Sequence, residues 1–186
     1  MALVRLVFKS VSEVISSDGM GLLILSDEQH RRQLSIVCDS ATVYQFGLRV
    51  GEAEVAPRLA PEVLWQVIAR NLSEMRFQVV ISDLSDGQYK TLLYMPDILQ
   101  AIPVRASDGV LIAYIAKMPI YIEEQLMLRQ SVPFKDHDET VAVPVNVLSE
   151  AMLREALERA VGEEDYEKAS QIRDELRRRG AKNFQP

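Results

Sequence analysis

The sequence predicts an α+β protein: a mainly antiparallel or mixed sheet with packed helices, followed by a C-terminal helical hairpin. Three features carry that prediction. Short runs of β-branched, leucine and aromatic residues recur between turn signals, of which Asp86-Gly87 is the sharpest. Between them lie stretches with apolar residues three and four apart, the period of one helix face. After about residue 131 the texture changes to proline and charge, and then to a charged helical pattern. The expected organisation is a domain at 1–131, a linker at 132–148 and a helical hairpin at 149–180.

Residues 3–11 alternate, with Val4, Leu6 and Phe8 on one side against Arg5 and Lys9, and predict a strand. The apolar runs 21–25 and 34–38, joined by a charged loop at 27–32, predict a hairpin. Asp39 and Ser40 suit the cap of a short helix that turns Val43, Phe46 and Val50 inward and ends near Gly51. Pro61 fits a first helical turn, where its missing N–H costs nothing. Val63, Leu64, Val67, Ile68, Leu72 and Met75 then predict a helix over 61–75, with Trp65 beside its apolar face. Residues 77–94 form a hairpin around Asp86-Gly87, because both turn residues tolerate positive φ. A strand near 99–104, a helix over 108–117 that stops before Met118-Pro119, and a short strand at 120–122 complete this part.

In the tail, Ser149 is placed to cap a helix bearing Leu153, Ala156, Leu157, Ala160 and Val161. Residues 162–165 turn the chain into a second helix carrying Tyr166, Ala169, Ile172 and Leu176. Arg177, Arg178 and Arg179 complement its C-terminal dipole before Gly180 ends it. So narrow an apolar seam buries little alone, so the hairpin is expected to dock on its own domain, a second copy or another protein.

The 186 residues suffice for one well-buried domain with a small appendage. A formal charge of −6 argues against coating nucleic acid through overall charge, while leaving room for a local basic patch. The single cysteine, Cys38, excludes an internal disulfide and a multi-cysteine zinc site. No run approaches the ~18 apolar residues of a membrane span, and residues 1–10 lack an unbroken signal-peptide core. A cytoplasmic protein without membrane contact is expected. Asp136, His137, Asp138 and Glu139 have metal-ligand chemistry, but four consecutive positions cannot all point inward and read as solvated linker. His30, in a charged loop, reads as a surface residue.

The stretch with most chemical promise is 102–114, where a strand gives way to a helix. Ser107 or Asp108 stands where an N-cap belongs, and the first helical turn presents N–H groups and a positive dipole end to an anion. Arg105 adds a forked, permanently charged donor for a phosphate. The plainer reading is that Ser107 and Asp108 only cap and Arg105 only pairs with a carboxylate.

Two resemblances sharpen this picture. The tail, Leu153-Arg-Glu-Ala156 followed by Asp165-Tyr166-Glu-Lys-Ala169-Ser-Gln-Ile172-Arg173-Asp174-Glu-Leu176, resembles the UVR motif of the UvrB and UvrC excision-repair proteins and of some protease adaptors and chaperones. The resemblance implies protein contact, with Tyr166, Ala169, Ile172, Arg173 and Leu176 as the binding residues. Residues 5–130 resemble the bacterial bifunctional nuclease family, reported to cut DNA and RNA and often ending in a UVR hairpin. The matching residues run from Val80 to Tyr89, through Arg105-Ala-Ser107-Asp108 to Ala113, and on to Pro119-Ile-Tyr121. The family forms homo-oligomers, so a dimer is the expectation that follows.

Departures from the family pattern bear on chemistry. Its usual Asp-Ala-Arg-Pro-Ser-Asp-Ala has Pro103, Ala106 and Gly109 in place of the first Asp, the Pro and the last Ala. A family Glu falls on Thr42 and a family His on Pro61. Metal-assisted phosphodiester cleavage needs carboxylates for Mg²⁺ or Mn²⁺ and a positive group at the phosphate. By resemblance and chemistry, Asp83 and Asp108 are the candidate metal ligands, Arg105 and Ser107 the nucleic-acid contacts, and all four the catalytic set. The rival expectation is a non-catalytic repair or adaptor protein that keeps the fold and recruits a partner through its hairpin. A weaker third is a small-ligand or nucleotide sensor built on Arg105.

Overall fold

The computed structural model describes residues 2–13, 20–134, 145, 148 and 150–182. The chain divides into two compact units, Met1–Asp83 with Tyr89–Glu139, and Leu84–Gln88 with Thr140–Pro186. The first unit is built on an eight-stranded mixed sheet. Strands β1 (Leu3–Glu13), β2 (Met20–Asp27) and β3 (Arg32–Asp39) form an antiparallel meander, extended by the short β8 (Val132–Pro133). Strands β4 (Gln78–Ser85), β5 (Gln88–Met95) and β6 (Gln100–Val104) form the other half, and β7 (Ile120–Glu123) joins the halves. The order is β6-β5-β4-β7-β1-β2-β3-β8, with β7 parallel to β4 and antiparallel to β1.

Residues 21–27 of β2 are buried without alternation, as a strand covered on both faces must be. Leu23, Leu25, Leu34 and Ile36 anchor the core beside Val79, Ile81 and Ile122. Phe8 of β1 stacks on Phe46 of α1 (Ser40–Val50) at 4.7 Å and meets Tyr114 of α3 (Ala106–Ala116) at 5.3 Å. That aromatic cluster ties both helices to one strand. Gly21 permits the close approach of α1, since a Cβ there would collide with the Val43 side chain.

Several elements depart from expectation, each for a physical reason. Helix α1 buries Thr42, Phe46 and Arg49 and leaves Val50 exposed, because a carboxylate from α2 (Ala60–Asn71) reaches Arg49. Helix α2 ends at Asn71 rather than 75 and has no buried residue; Val63, Leu64, Val67, Ile68 and Leu72 are 38–62% exposed. Trp65, beside that apolar stripe as expected, is partly packed, edge-on to Phe77 at 5.6 Å. Helix α3 starts two residues early with Arg105 at the N-cap, so neither Ser107 nor Asp108 caps it; both lie in its first turn. Helix α4 (Glu124–Gln130), capped by the Glu123 carboxylate, was not foreseen because its seven residues show too little periodicity. The Asp136–Glu139 cluster and the Ser149 cap lie outside the described residues. Among the described residues no helix is long and apolar enough to cross a membrane.

In the second unit α5 (Glu150–Gly162) packs on α6 (Tyr166–Lys182) through Leu153, Ala160, Ala169 and Ile172. Helix α6 runs past Gly180, so that glycine does not end it, and Val161 and Tyr166 face outward. The Asp165 side chain accepts from the Lys168 N–H at 3.1 Å and caps α6. Buried Arg179 donates to Glu175 at 2.8 Å and to the Leu148 carbonyl at 2.6 Å.

Asp86 (φ 51°) and Gly87 (φ 76°) form the positive-φ turn that their sequence predicts. A Cβ on Gly87 would lie 2.5 Å from the Leu148 carbonyl oxygen. Gly87→Ala therefore combines left-handed strain of about 1–2 kcal/mol with a backbone collision. Thermal unfolding should show a melting temperature lower by about 2–8 °C. An unchanged melting curve would contradict this account of the turn.

Candidate functional site

Two strand-to-helix junctions meet at the site. At one, β3 ends in Asp39, which caps α1; at the other, β6 passes through Arg105 into α3. Asp39 Oδ1 accepts from the Thr42 N–H and hydroxyl, each at 2.8 Å. Its Oδ2 accepts from Arg105 Nη1 at 3.0 Å, across 66 positions of chain. Arg105 Nε and Nη2 donate to the two Asp108 oxygens at 2.7 and 2.9 Å, a forked bidentate pair. One turn of helix separates Asp108 from Arg105, so its position in the first turn of α3 lets it reach back to the N-cap residue.

The electrostatics follow from these bonds. Asp108 and then Asp39 hold the Arg105 guanidinium further above its ordinary range. The backbone bond from Thr42 and then its hydroxyl hold Asp39 below the usual carboxylate range, with Arg105 adding to the effect. A depressed carboxylate stabilises the folded state above its unfolded pKa, and this is lost as pH falls through the lowered value. With side chains 64%, 47% and 37% exposed for Arg105, Asp39 and Asp108, the cluster is open to solvent. Two carboxylates against one guanidinium leave it formally at −1, so a phosphate is favoured only when a cation joins.

Of the residues singled out from sequence, Arg105 and Asp108 come together, and Ser107 is buried beside them in the first turn of α3. Asp83 pairs instead with Lys90 at 3.1 Å on the β4–β5 hairpin. Among the described residues no three His, Cys, Asp or Glu side chains gather into a metal-holding group. Asp39 is the member that sequence reading passed over as a cap. Its signal was there: a carboxylate at a strand end that opens a helix, the same grammar as 104–108. Nothing in the linear pattern places the two junctions side by side.

The departures from the family pattern have structural occupants. Thr42, at the Glu position, is buried with its donors on Asp39. Pro61, at the His position, opens α2, and Glu62 beside it accepts from Arg49 Nη2 at 2.7 Å. Arg49 Nε also lies 2.7 Å from Glu62 but is too poorly aligned for a hydrogen bond, so Nη2 alone donates to that carboxylate. In the hairpin, Ala169 and Ile172 are buried and Leu176 partly so, while Tyr166 and Arg173 face outward.

A family model of the bifunctional nuclease domain matches residues 23–135, more than half of the chain. The chain belongs to the bifunctional nuclease domain family. The match spans both junctions of this bifunctional nuclease domain, from β2 through β8, and so includes Asp39, Arg105 and Asp108. A second model, of the UvrB/uvrC motif, matches 152–178, which lies on α5 and α6. No curated protein matches the chain.

Proposed function

We propose that this bifunctional nuclease domain hydrolyses phosphodiester bonds of DNA or RNA with Mg²⁺ or Mn²⁺. The further reading is a cytoplasmic homo-oligomer, a dimer in the simplest case, whose UVR hairpin engages a protein partner. The observation that carries the nuclease reading is the convergence of Asp39, Arg105 and Asp108 where two helices begin. Their donor set suits a hard divalent cation, which takes one or two carboxylates and completes its shell with water and substrate phosphate. Such a cation, when bound, polarises the phosphoryl group and lowers the pKa of a coordinated water. The chain's own part is to swing Arg105 from Asp108 onto the phosphate, leaving Asp39 and Asp108 as oxygen donors. Asp83, paired with Lys90, lies outside this donor pair, and buried Ser107 orders the first turn of α3.

The test is cleavage of single-stranded DNA, duplex DNA and RNA in Mg²⁺, Mn²⁺ and EDTA, with wild type beside Asp108→Asn. Metal-dependent cleavage that falls at least 10²-fold in the variant is expected. Cleavage that persists in EDTA, or an indifferent variant, would sink the assignment.

A second reading has its own observation. Thr42 and Pro61 occupy the family Glu and His positions, which favours an interaction protein that has kept the fold without catalysis. The hairpin should then carry the function through its outward residues. Tyr166→Ala with Arg173→Glu in the full chain should abolish partner capture without lowering the melting temperature. A variant that retains every partner removes this reading.

A further inference from the structure

We propose that the apolar cavity adjoining Asp108 receives an unstacked nucleobase, making single-stranded nucleic acid the preferred substrate. The inference rests on the nuclease reading and adds a base-binding subsite to it. The cavity, of about 520 Å³, lies between α2, α3 and the β5–β6 ribbon, within one compact unit. That volume is in the range of about 300–1,000 Å³ typical of small-ligand pockets. Trp65 and Phe77 contribute aromatic surface, and Leu64, Leu111 and Ile112 supply aliphatic walls.

Asp108 is the only charged residue among those lining the cavity. Its carboxylate is the one gripped by Arg105, so apolar cavity and phosphate-binding cation share a wall. A ligand filling both must have an anionic group and a flat, weakly polar body joined by a short spacer. Nucleic acid repeats that unit along its chain. The walls offer almost no hydrogen-bonding groups, so they hold the face of a base and do not read its edge; recognition is by stacking and insensitive to sequence. A base in a duplex is paired and stacked and cannot enter without flipping out, which costs energy that a single strand does not spend. The exposed apolar surface of Leu64, at 62%, thus forms the rim of a subsite.

Trp65 is the single tryptophan of the chain, so its fluorescence reports occupancy of this cavity. The experiment titrates the whole 186-residue chain, on ice in Ca²⁺ and low salt so that a hard cation completes the phosphate site, with a short oligothymidylate, an abasic deoxyribose-phosphate strand of equal length, and a duplex. The single strand should change Trp65 emission and bind about tenfold more tightly than the abasic strand, the loss of one base–aromatic stack. The duplex should leave the emission unchanged. Leu64→Asp, with its fold checked by circular dichroism, should bring single-strand affinity down to the abasic level. Equal affinity for abasic and base-bearing strands, or binding that leaves Trp65 undisturbed, overturns the subsite while the phosphate clamp stands. Emission that shifts with protein concentration alone, in step with a doubling of mass, places a second copy in the cavity and also overturns it. Failure to bind any of the three strands brings down the nuclease reading itself, and the subsite with it.

Discussion

Arg105→Ala should lower phosphodiester cleavage by about 10²- to 10³-fold, the usual effect of removing one preorganised donor from the developing charge of a transition state. The structure adds a second, less expected signature. Arg105 offsets one of the two carboxylate charges of Asp39 and Asp108 in the resting cluster, so deleting it leaves both carboxylates, 47% and 37% exposed, without their shared counter-charge. Such a pair attracts divalent metal more strongly than the wild-type cluster, where a guanidinium occupies the same oxygens. Turnover should therefore fall while the Mn²⁺ concentration giving half-maximal rate also falls. Arg105→Lys restores the charge but not the fork, and should recover only part of the rate. Unchanged turnover in Arg105→Ala, or a higher metal requirement, would remove Arg105 from the role assigned to it.

Glu62→Ala should lower stability by about 3 kcal/mol, because it strands a buried guanidinium. The Arg49 side chain is only 4% exposed, and its other partners are the carbonyl and side-chain oxygen of Gln45, each accepting from the same Nη1. With Glu62 gone the charge remains and its counter-charge does not. Thermal unfolding should show a melting temperature roughly 6–12 °C lower. The double change Arg49→Met with Glu62→Met should regain most of that loss, since removing both members leaves nothing buried and uncompensated. If the double variant melts as low as the single one, packing of α1 against α2 is the cause and the pair is incidental.

Much of the fold was legible because period and turn chemistry agree locally. The Asp86-Gly87 hairpin, the β2–β3 hairpin and the Asp39 cap each follow from residues that touch one another in sequence. The departures share one cause, in that side-chain partners which the periodic pattern does not specify decided the outcome. Val50 gave way to Arg49 because the carboxylate that Arg49 needs is 13 residues away. Asp108 was read as a cap because its alternative, a fork onto Arg105, depends on where the helix begins. Helix α2 displays a well-formed apolar stripe, yet that stripe stays largely exposed, with Leu64 and Ile68 lining an open cavity, and amphipathicity alone does not say which neighbour it meets. The site was half legible for the same reason: Arg105 and Asp108 are close in sequence, while Asp39 arrives through topology.

The placement of β7 carries a consequence for how the molecule is made. Among the described residues a four-residue strand, Ile120–Glu123, is the only link in the sheet between a meander that ends at residue 39 and a ribbon that begins at 78. It pairs with β1 across more than a hundred residues of chain, Leu3 opposite Glu123 and Leu6 opposite Ile120. On the ribosome, the N-terminal meander is therefore complete long before the strand that covers its edge has been synthesised. Until then β1 presents an open row of hydrogen-bonding groups, the kind of edge that recruits foreign strands. Closure of that edge is a late, non-local event, and such events slow folding. Nascent chains halted before Glu123 would be the ones most in need of a chaperone.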